Sequence, residues 1–267
     1  MRELIGKFIP RAVKNAVKKA VGNAPAANLD ATYSYPPTWL STRKFYGQYG
    51  EDLKILPLFA KGRGYFVEIG AMEGIRFSNT YLLELMGWEG ICMEPHPDYF
   101  ELLEKNRPRS ITIRAAAGKE DRGSVDFYTN FRGSMSTLDK NLEGFFKSHY
   151  GKFFGGFKTI QVPLVTLNTL LQKHHAPTPI DVLSVDTEGT EKDVFLGFDF
   201  KRYVPRVVIA EISIRKEPVL AYLAREGYVL ACTNPSNAIF CRNEEDAEVV
   251  RRMNVEGTQL APPHPLD

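Results

Sequence analysis

The run with the most chemical content is Tyr65-Phe-Val-Glu68-Ile-Gly70-Ala71-Met72-Glu73-Gly74. An apolar stretch of strand length enters a glycine turn and then a helical pattern. Glycine at 70 and 74 lets the backbone approach a ligand closely, and the start of a helix offers free N–H groups at the same place. A second acid, Glu94, ends the next apolar run, Gly90-Ile-Cys-Met-Glu94-Pro95. A carboxylate about 20 residues past the glycine turn suits the two hydroxyls of a ribose, so the pair points to a nucleoside ligand. A dinucleotide would need GxGxxG around its pyrophosphate. Here the third glycine is missing and Glu73 stands inside the turn, where an anion repels phosphate. Glu68 and Glu73 instead attract a cationic sulfonium and ammonium, the charges of S-adenosylmethionine. The plain alternative is a tight strand-to-helix connection.

A second set of acids follows two later apolar runs. Asp186, Glu188 and Glu191 come after Val182–Val185, and Glu211 ends Val207–Ala210. Carboxylates at the ends of parallel strands could take a proton from a poor nucleophile or hold a divalent cation that acidifies a hydroxyl. Asp186 is the first candidate, Glu188 the second, and Glu211 completes the cluster. The same residues equally suit a helix start, with Asp186 or Thr187 as cap and Glu191 in the first turn. Ser78, Asn79 and Thr80 open the helix after the glycine turn, and capping accounts for one of the three. Gly133-Ser-Met-Ser136-Thr137 could fold over donor or acceptor. Phe145, Phe146, Tyr150, Phe153, Phe154 and Phe157, interspersed with Lys147, Lys152 and Lys158, either grip a ring-shaped ligand or bury one another. His149 is the one histidine kept as a possible base.

The elements that must position these groups alternate. Glu51–Ala60 reads as a helix, bent at Pro57; Gly64–Ile69 as a strand; Ser78–Met86 as a helix stopped by Gly87; Gly90–Met93, Pro97–Asn106 and Ser110–Ala115 as strand, helix and strand. With Val182–Val185 and Val207–Ala210 as further buried strands, the pattern is a doubly wound, mostly parallel Rossmann-like α/β sheet. Gly123–Tyr128 and Ile160–Val165 read as an inserted strand pair around an irregular lid, within an insert at about 123–165.

At this point the ordered fragments resemble a known family. Gln48-Tyr-Gly50-Glu51-Asp52, Val67-Glu-Ile-Gly-Ala71, Ser78-Asn79-Thr80, Gly87-Trp88-Glu-Gly90-Ile-Cys-Met-Glu94-Pro95, Val162-Pro-Leu-Val-Thr-Leu167 and Ile180-Asp-Val-Leu-Ser-Val-Asp186-Thr-Glu188-Gly189-Thr-Glu191 are similar to the FkbM methyltransferases. The resemblance implies a class I methyltransferase fold and methyl transfer from S-adenosylmethionine to a hydroxyl, often on a sugar, glycolipid or polyketide. It also implies that Gln48 and Glu51 border the cofactor pocket. Met72 and Glu73 stand where the family commonly has Asn or His followed by Asp, and Glu73 keeps the charge.

The ends differ from the middle. Residues 1–22 carry six basic residues against one acid, with apolar residues at helical spacing; this basic amphipathic helix could touch an anionic membrane surface or dock on its own domain. Residues 23–44 read as a linker, 45–250 as the methyltransferase domain, and 251–267 as a C-terminal tail, poorly ordered from Gly257. A formal net charge of +2 argues against a nucleic-acid partner. The three cysteines, without CxxC spacing, argue against a disulfide scaffold or zinc site and for a cytoplasmic location. Two rivals remain: an NAD(P)-dependent oxidoreductase on a similar sheet, and a non-catalytic, membrane-docked module.

Overall fold

A computed structural model describes residues 44–59, 63–130, 135–253 and 259–260. The basic segment 1–22, the linker up to residue 43 and most of the tail lie outside the described residues. In chain order the strands are β1 (Lys44–Phe45), β2 (Tyr65–Ile69), β3 (Glu89–Met93), β4 (Ser110–Ile113), β5 (Ala116–Ala117), β6 (Arg122–Thr129), β7 (Lys158–Val165), β8 (Val182–Val185), β9 (Val207–Glu211), β10 (Val229–Thr233), β11 (Asn237–Cys241) and β12 (Gln259–Leu260).

Seven of them form the main sheet, in the order β10-β11-β9-β8-β2-β3-β4. All neighbours from β9 to β4 pair in parallel, and β11 alone runs against its two neighbours. Parallel strands covered on both faces are buried along their length, and β8 and β9 are buried from end to end. Alternation then sorts side chains between two layers. Val67, Ile69, Ile91, Met93, Leu183 and Val185 enter one core; Phe66, Cys92, Val182 and Ile209 enter the other. The doubly wound architecture expected from the sequence is present.

The chain steps from β2 outward to β3 and β4, then returns to place β8 and β9 on the other side of β2. The carboxyl ends of β2, β3 and β8 therefore meet where strand order reverses, the usual ligand crevice of such sheets. The inserted pair is also present: β6 and β7 are antiparallel and, with β5, form a three-stranded sheet.

Three local expectations shift. The helix beginning at Glu51 becomes a 3-10 turn at Leu56–Phe59, around Pro57. The helix expected from Ser78 begins at Tyr81, because the Ser78 hydroxyl accepts the N–H groups of Thr80 and Tyr81 ahead of it. A helix at Glu244–Arg252, capped by Asn243, closes the domain, and within the tail Gln259–Leu260 pairs in parallel with Lys44–Phe45.

Candidate active site at the sheet's carboxyl edge

An open cleft lies at this crevice, lined by Gly70, Met72, Met93, Glu94, Pro95, Ala115–Ala117, Phe127, Ser136, Leu138, Asp186, Thr187 and Glu188. The glycine bend makes it possible. Gly70 has φ +80°, and a Cβ there would stand 1.7 Å from the Asp186 carbonyl oxygen, so any other residue would drive β2 and β8 apart. Two non-glycine residues at the rim, Met72 and Glu188, also have positive φ, a strained conformation that packing must enforce.

Glu94 is held at the end of β3 by the N–H groups of Met72 (2.9 Å) and His96 (2.7 Å), one to each oxygen. A carboxylate has about four acceptor positions, so two remain for a ligand. Burial pushes its pKa up to about 7, against those hydrogen bonds. Glu73 is not among the cleft residues: its Oε1 accepts the Arg76 N–H and pairs with the Arg76 side chain (3.9 Å), while its Oε2 is buried without a hydrogen-bond partner. Apolar walls beside vacant carboxylate acceptors fit a hydroxylated, partly cationic nucleoside such as S-adenosylmethionine.

Glu68 has a different place. Alternation along β2 sends it to the same face as Phe66, where its oxygens accept hydrogen bonds from Ser78 Oγ, the Asn79 N–H, Thr80 Oγ1 and Arg107 Nη1 (3.0 Å). It does not line the cleft, and its acceptor positions are filled. The expectation that Glu68 grips the ligand is corrected accordingly: it anchors the floor beneath the glycine bend. Arg107 is wholly buried, and also donates to Glu84 (2.7 Å), Thr80 Oγ1 and the Gly74 carbonyl. Gly74 is needed for this contact, since a Cβ would lie 2.6 Å from Arg107 Cγ and Leu103 Cδ1. Ser78, Gly74 and Ala71 thus support the bend from behind, and Asn79 bonds Ser184 Oγ.

Glu51 sits on the β9/β11 side. It accepts from Asn234 and Asn237 through one oxygen and from the Tyr49 N–H through the other. Its charge reaches Asp186, whose carboxyl is pushed up to about 7 by burial first, then by Glu191, Glu51 and Glu68. Gln48 lies half-buried in the turn before Glu51. Glu188 and Glu211 are raised well above the usual carboxylate range by burial and by their acidic neighbours. Glu191 is fixed by donors from the Thr187 and Gly189 N–H groups and the Thr187 hydroxyl. Glu191 lies in the first turn of the following helix, whose cap position is Thr190 rather than Asp186 or Thr187, and its carboxylate braces the loop ahead of it; Asp186 and Glu188 face the cleft.

The aromatic insert mostly buries itself: Phe146 and Phe154 lie in a small core with Leu142. Tyr150 differs. It is 40% exposed, and its hydroxyl is pushed up by burial, by Glu188, Glu211 and Asp186, and by Tyr49; Tyr150 therefore stands beside the acid cluster, with Tyr49 near it. Ser136 lines the cleft and bonds Thr129. His149 is exposed and stacks on Phe145, and is not among the cleft residues. Arg107, Tyr49 and the Asn234–Asn237 pair escaped the sequence reading. The one available signal for Arg107 was the surplus of acids at buried positions, Glu68 and Glu84, which demanded a cation.

A doubly wound sheet with its cleft at the strand switch and acids at the ends of β3 and β8 defines the class: an S-adenosylmethionine-dependent methyltransferase fold. The methyltransferase FkbM domain matches residues 68–230, and the chain belongs to that family. No curated protein matches it. Among solved structures, it is similar to the methyltransferase FkbM of Methylobacillus flagellatus KT (12% identity, TM-score 0.43, covering 67% of this chain and 43% of that one). It is also similar to a precorrin-6y C5,15-methyltransferase of Geobacter metallireducens GS-15 (12% identity, TM-score 0.42, 79% and 94% covered). A third is the O-methyltransferase of Bacillus cereus in complex with SAH (13% identity, TM-score 0.38, 90% and 94% covered). This chain spans less than half the length of the first. At these identities the likeness extends to neither substrate nor chemistry. Among the described residues no helix is long and apolar enough to cross a membrane.

Proposed function

We infer that the protein transfers a methyl group from S-adenosylmethionine to a hydroxyl of a small, ring-bearing acceptor such as a sugar, glycolipid or polyketide. The observation that carries this reading is a single cleft lined at one point by Glu94 and at another by Asp186 and Glu188. Glu94 has acceptor positions to spare for the ribose. Met93, Ala116, Phe127 and Leu138 supply an apolar wall suited to a flat base. Bound there, the donor supplies an electrophilic methyl carbon on a cationic sulfur.

The residues' own task is alignment and proton removal. Asp186 has its pKa near 7, close to the working pH that best serves a base. Its ionised form accepts the hydroxyl proton while Glu188 orients the same group. The exposed Tyr49 and Tyr150 offer flat faces with polar tips, which suits stacking on a sugar ring. The basic segment 1–22 adds a peripheral contact with anionic membranes, which liposome flotation with and without those residues tests.

The test is calorimetric titration of the full chain with S-adenosylmethionine and its demethylated product, followed by mass spectrometry of candidate glycans and metabolites incubated with enzyme and donor. Binding of both nucleosides and a gain of one methylene on a hydroxylated acceptor are expected. Binding of NADH in their place would transfer the chain to the oxidoreductases.

A further inference from the structure

We propose that Asp186, Glu191 and Glu211 form a divalent-cation site at the carboxyl edge of β8 and β9, next to the acceptor. Each offers a carboxylate oxygen, and the three oxygens lie within 4.8 Å of one another. Oxygens bound to one calcium-sized ion at about 2.3–2.6 Å can be at most about 5 Å apart, and a smaller ion of the magnesium class draws them closer. An all-carboxylate set selects hard cations of this kind over zinc or copper.

A second observation points to a ligand. Glu211 is buried, 6% exposed; its Oε1 accepts the Ser213 hydroxyl, but its Oε2 is enclosed with no hydrogen-bond partner. A buried carboxylate oxygen left without a donor is costly, and an ion shared with Asp186 would satisfy it. The surrounding charge agrees. Among the described residues no lysine or arginine forms an ion pair with Asp186, Glu188, Glu191 or Glu211, whereas Glu68 and Glu84, as buried as Glu191 and Glu211, each pair with Arg107. Glu191 is already oriented by three donors to its Oε1, the kind of preset orientation that metal ligands require. Asp186 reaches the cleft, so the ion keeps an open side. There it would lower the pKa of a coordinated hydroxyl, easing the proton's passage to the adjacent carboxylate; this consequence rests on the hydroxyl-acceptor reading above.

The experiment uses the full chain, freed of metal by chelation. Manganese(II) is added and its free signal followed by electron paramagnetic resonance, with magnesium as competitor. Wild-type protein is expected to remove one equivalent of free manganese, reversibly on adding magnesium. Glu211→Gln is expected to bind manganese at least tenfold more weakly, while its calorimetric titration with S-adenosylhomocysteine, a check on folding, stays within twofold of wild type. Absence of manganese binding by protein that binds S-adenosylhomocysteine overturns the site and leaves the methyltransferase reading standing. Equal manganese binding by wild type and Glu211→Gln also overturns it. Manganese binding without nucleoside binding would keep the site and remove the functional reading.

Discussion

On one side of the glycine bend, the carboxylates of Glu68 and Glu84 share the Arg107 guanidinium (3.0 and 2.7 Å), and Ser78, Asn79 and Thr80 donate further hydrogen bonds to Glu68. On the other, Asp186, Glu188, Glu191 and Glu211 crowd together with no ion pair among the described residues, and three of them are held toward the protonated form. Both groups are acidic; Glu68, Glu84, Glu191 and Glu211 are buried, while Asp186 and Glu188 are half-buried at the cleft. What separates them is compensation: the first is finished by the protein itself, and the second is left with acceptors to spare. A buried charge that is paired supports the fold, while one left unpaired at a cleft points to chemistry.

The largest effect is expected from breaking the compensated side. Arg107→Met leaves two buried carboxylates without their cation and should cost about 3–5 kcal/mol of folding stability in urea titration. A loss under about 1 kcal/mol would mean the network is looser than its geometry. On the other side, Asp186→Asn should leave the fold intact and lower turnover by about 10²–10⁴-fold, the usual worth of a positioned base. Because that base must be ionised, turnover of wild type in chelator, free of any cation on Asp186, should rise with pH through about 7; a flat profile from pH 5 to 8 would remove Asp186 from the role. Glu94→Gln forfeits charged hydrogen bonds to the ribose, each worth about 1.5–3 kcal/mol. Donor affinity should fall about 10- to 100-fold by calorimetry. The smallest effect belongs to Gly74→Ala, whose methyl would press on Arg107 at a positive φ. About 1–3 kcal/mol of stability should go, with donor affinity weakened only indirectly.

The sequence made the scaffold legible wherever one signal sufficed. Val182–Val185 and Gly90–Met93 are continuous apolar runs, which only strands buried on both faces require. The acids that close them, Glu94 and Asp186, had to fall at the sheet's edge. Glu68 was harder. It stands inside a strand, two residues before the bend, where alternation allows either face, and the choice is made by Arg107, 39 residues away. Pairing over that separation leaves no local mark. The late start of the helix after Ser78 has a similar origin, since the serine hydroxyl serves Glu68 and Arg107 as well as the helix N–H groups. The pairing of Gln259–Leu260 with β1 joins the two ends of the described chain and was likewise invisible to local pattern.

The most direct measurement of the contrast is urea unfolding of Glu211→Gln and Glu84→Gln beside wild type, in chelator, at pH 5 and pH 8. A carboxyl whose pKa is raised by folding stabilises the protein below its unfolded pKa, and loses that contribution as pH rises through the folded value. Wild type should therefore be less stable at pH 8 than at pH 5. Glu211→Gln, relieved of a crowded charge, should be more stable than wild type at pH 8, and Glu84→Gln less stable at both. If Glu211→Gln destabilises the protein at pH 8 as much as Glu84→Gln does, the two acid groups do the same structural work, and the distinction between them fails.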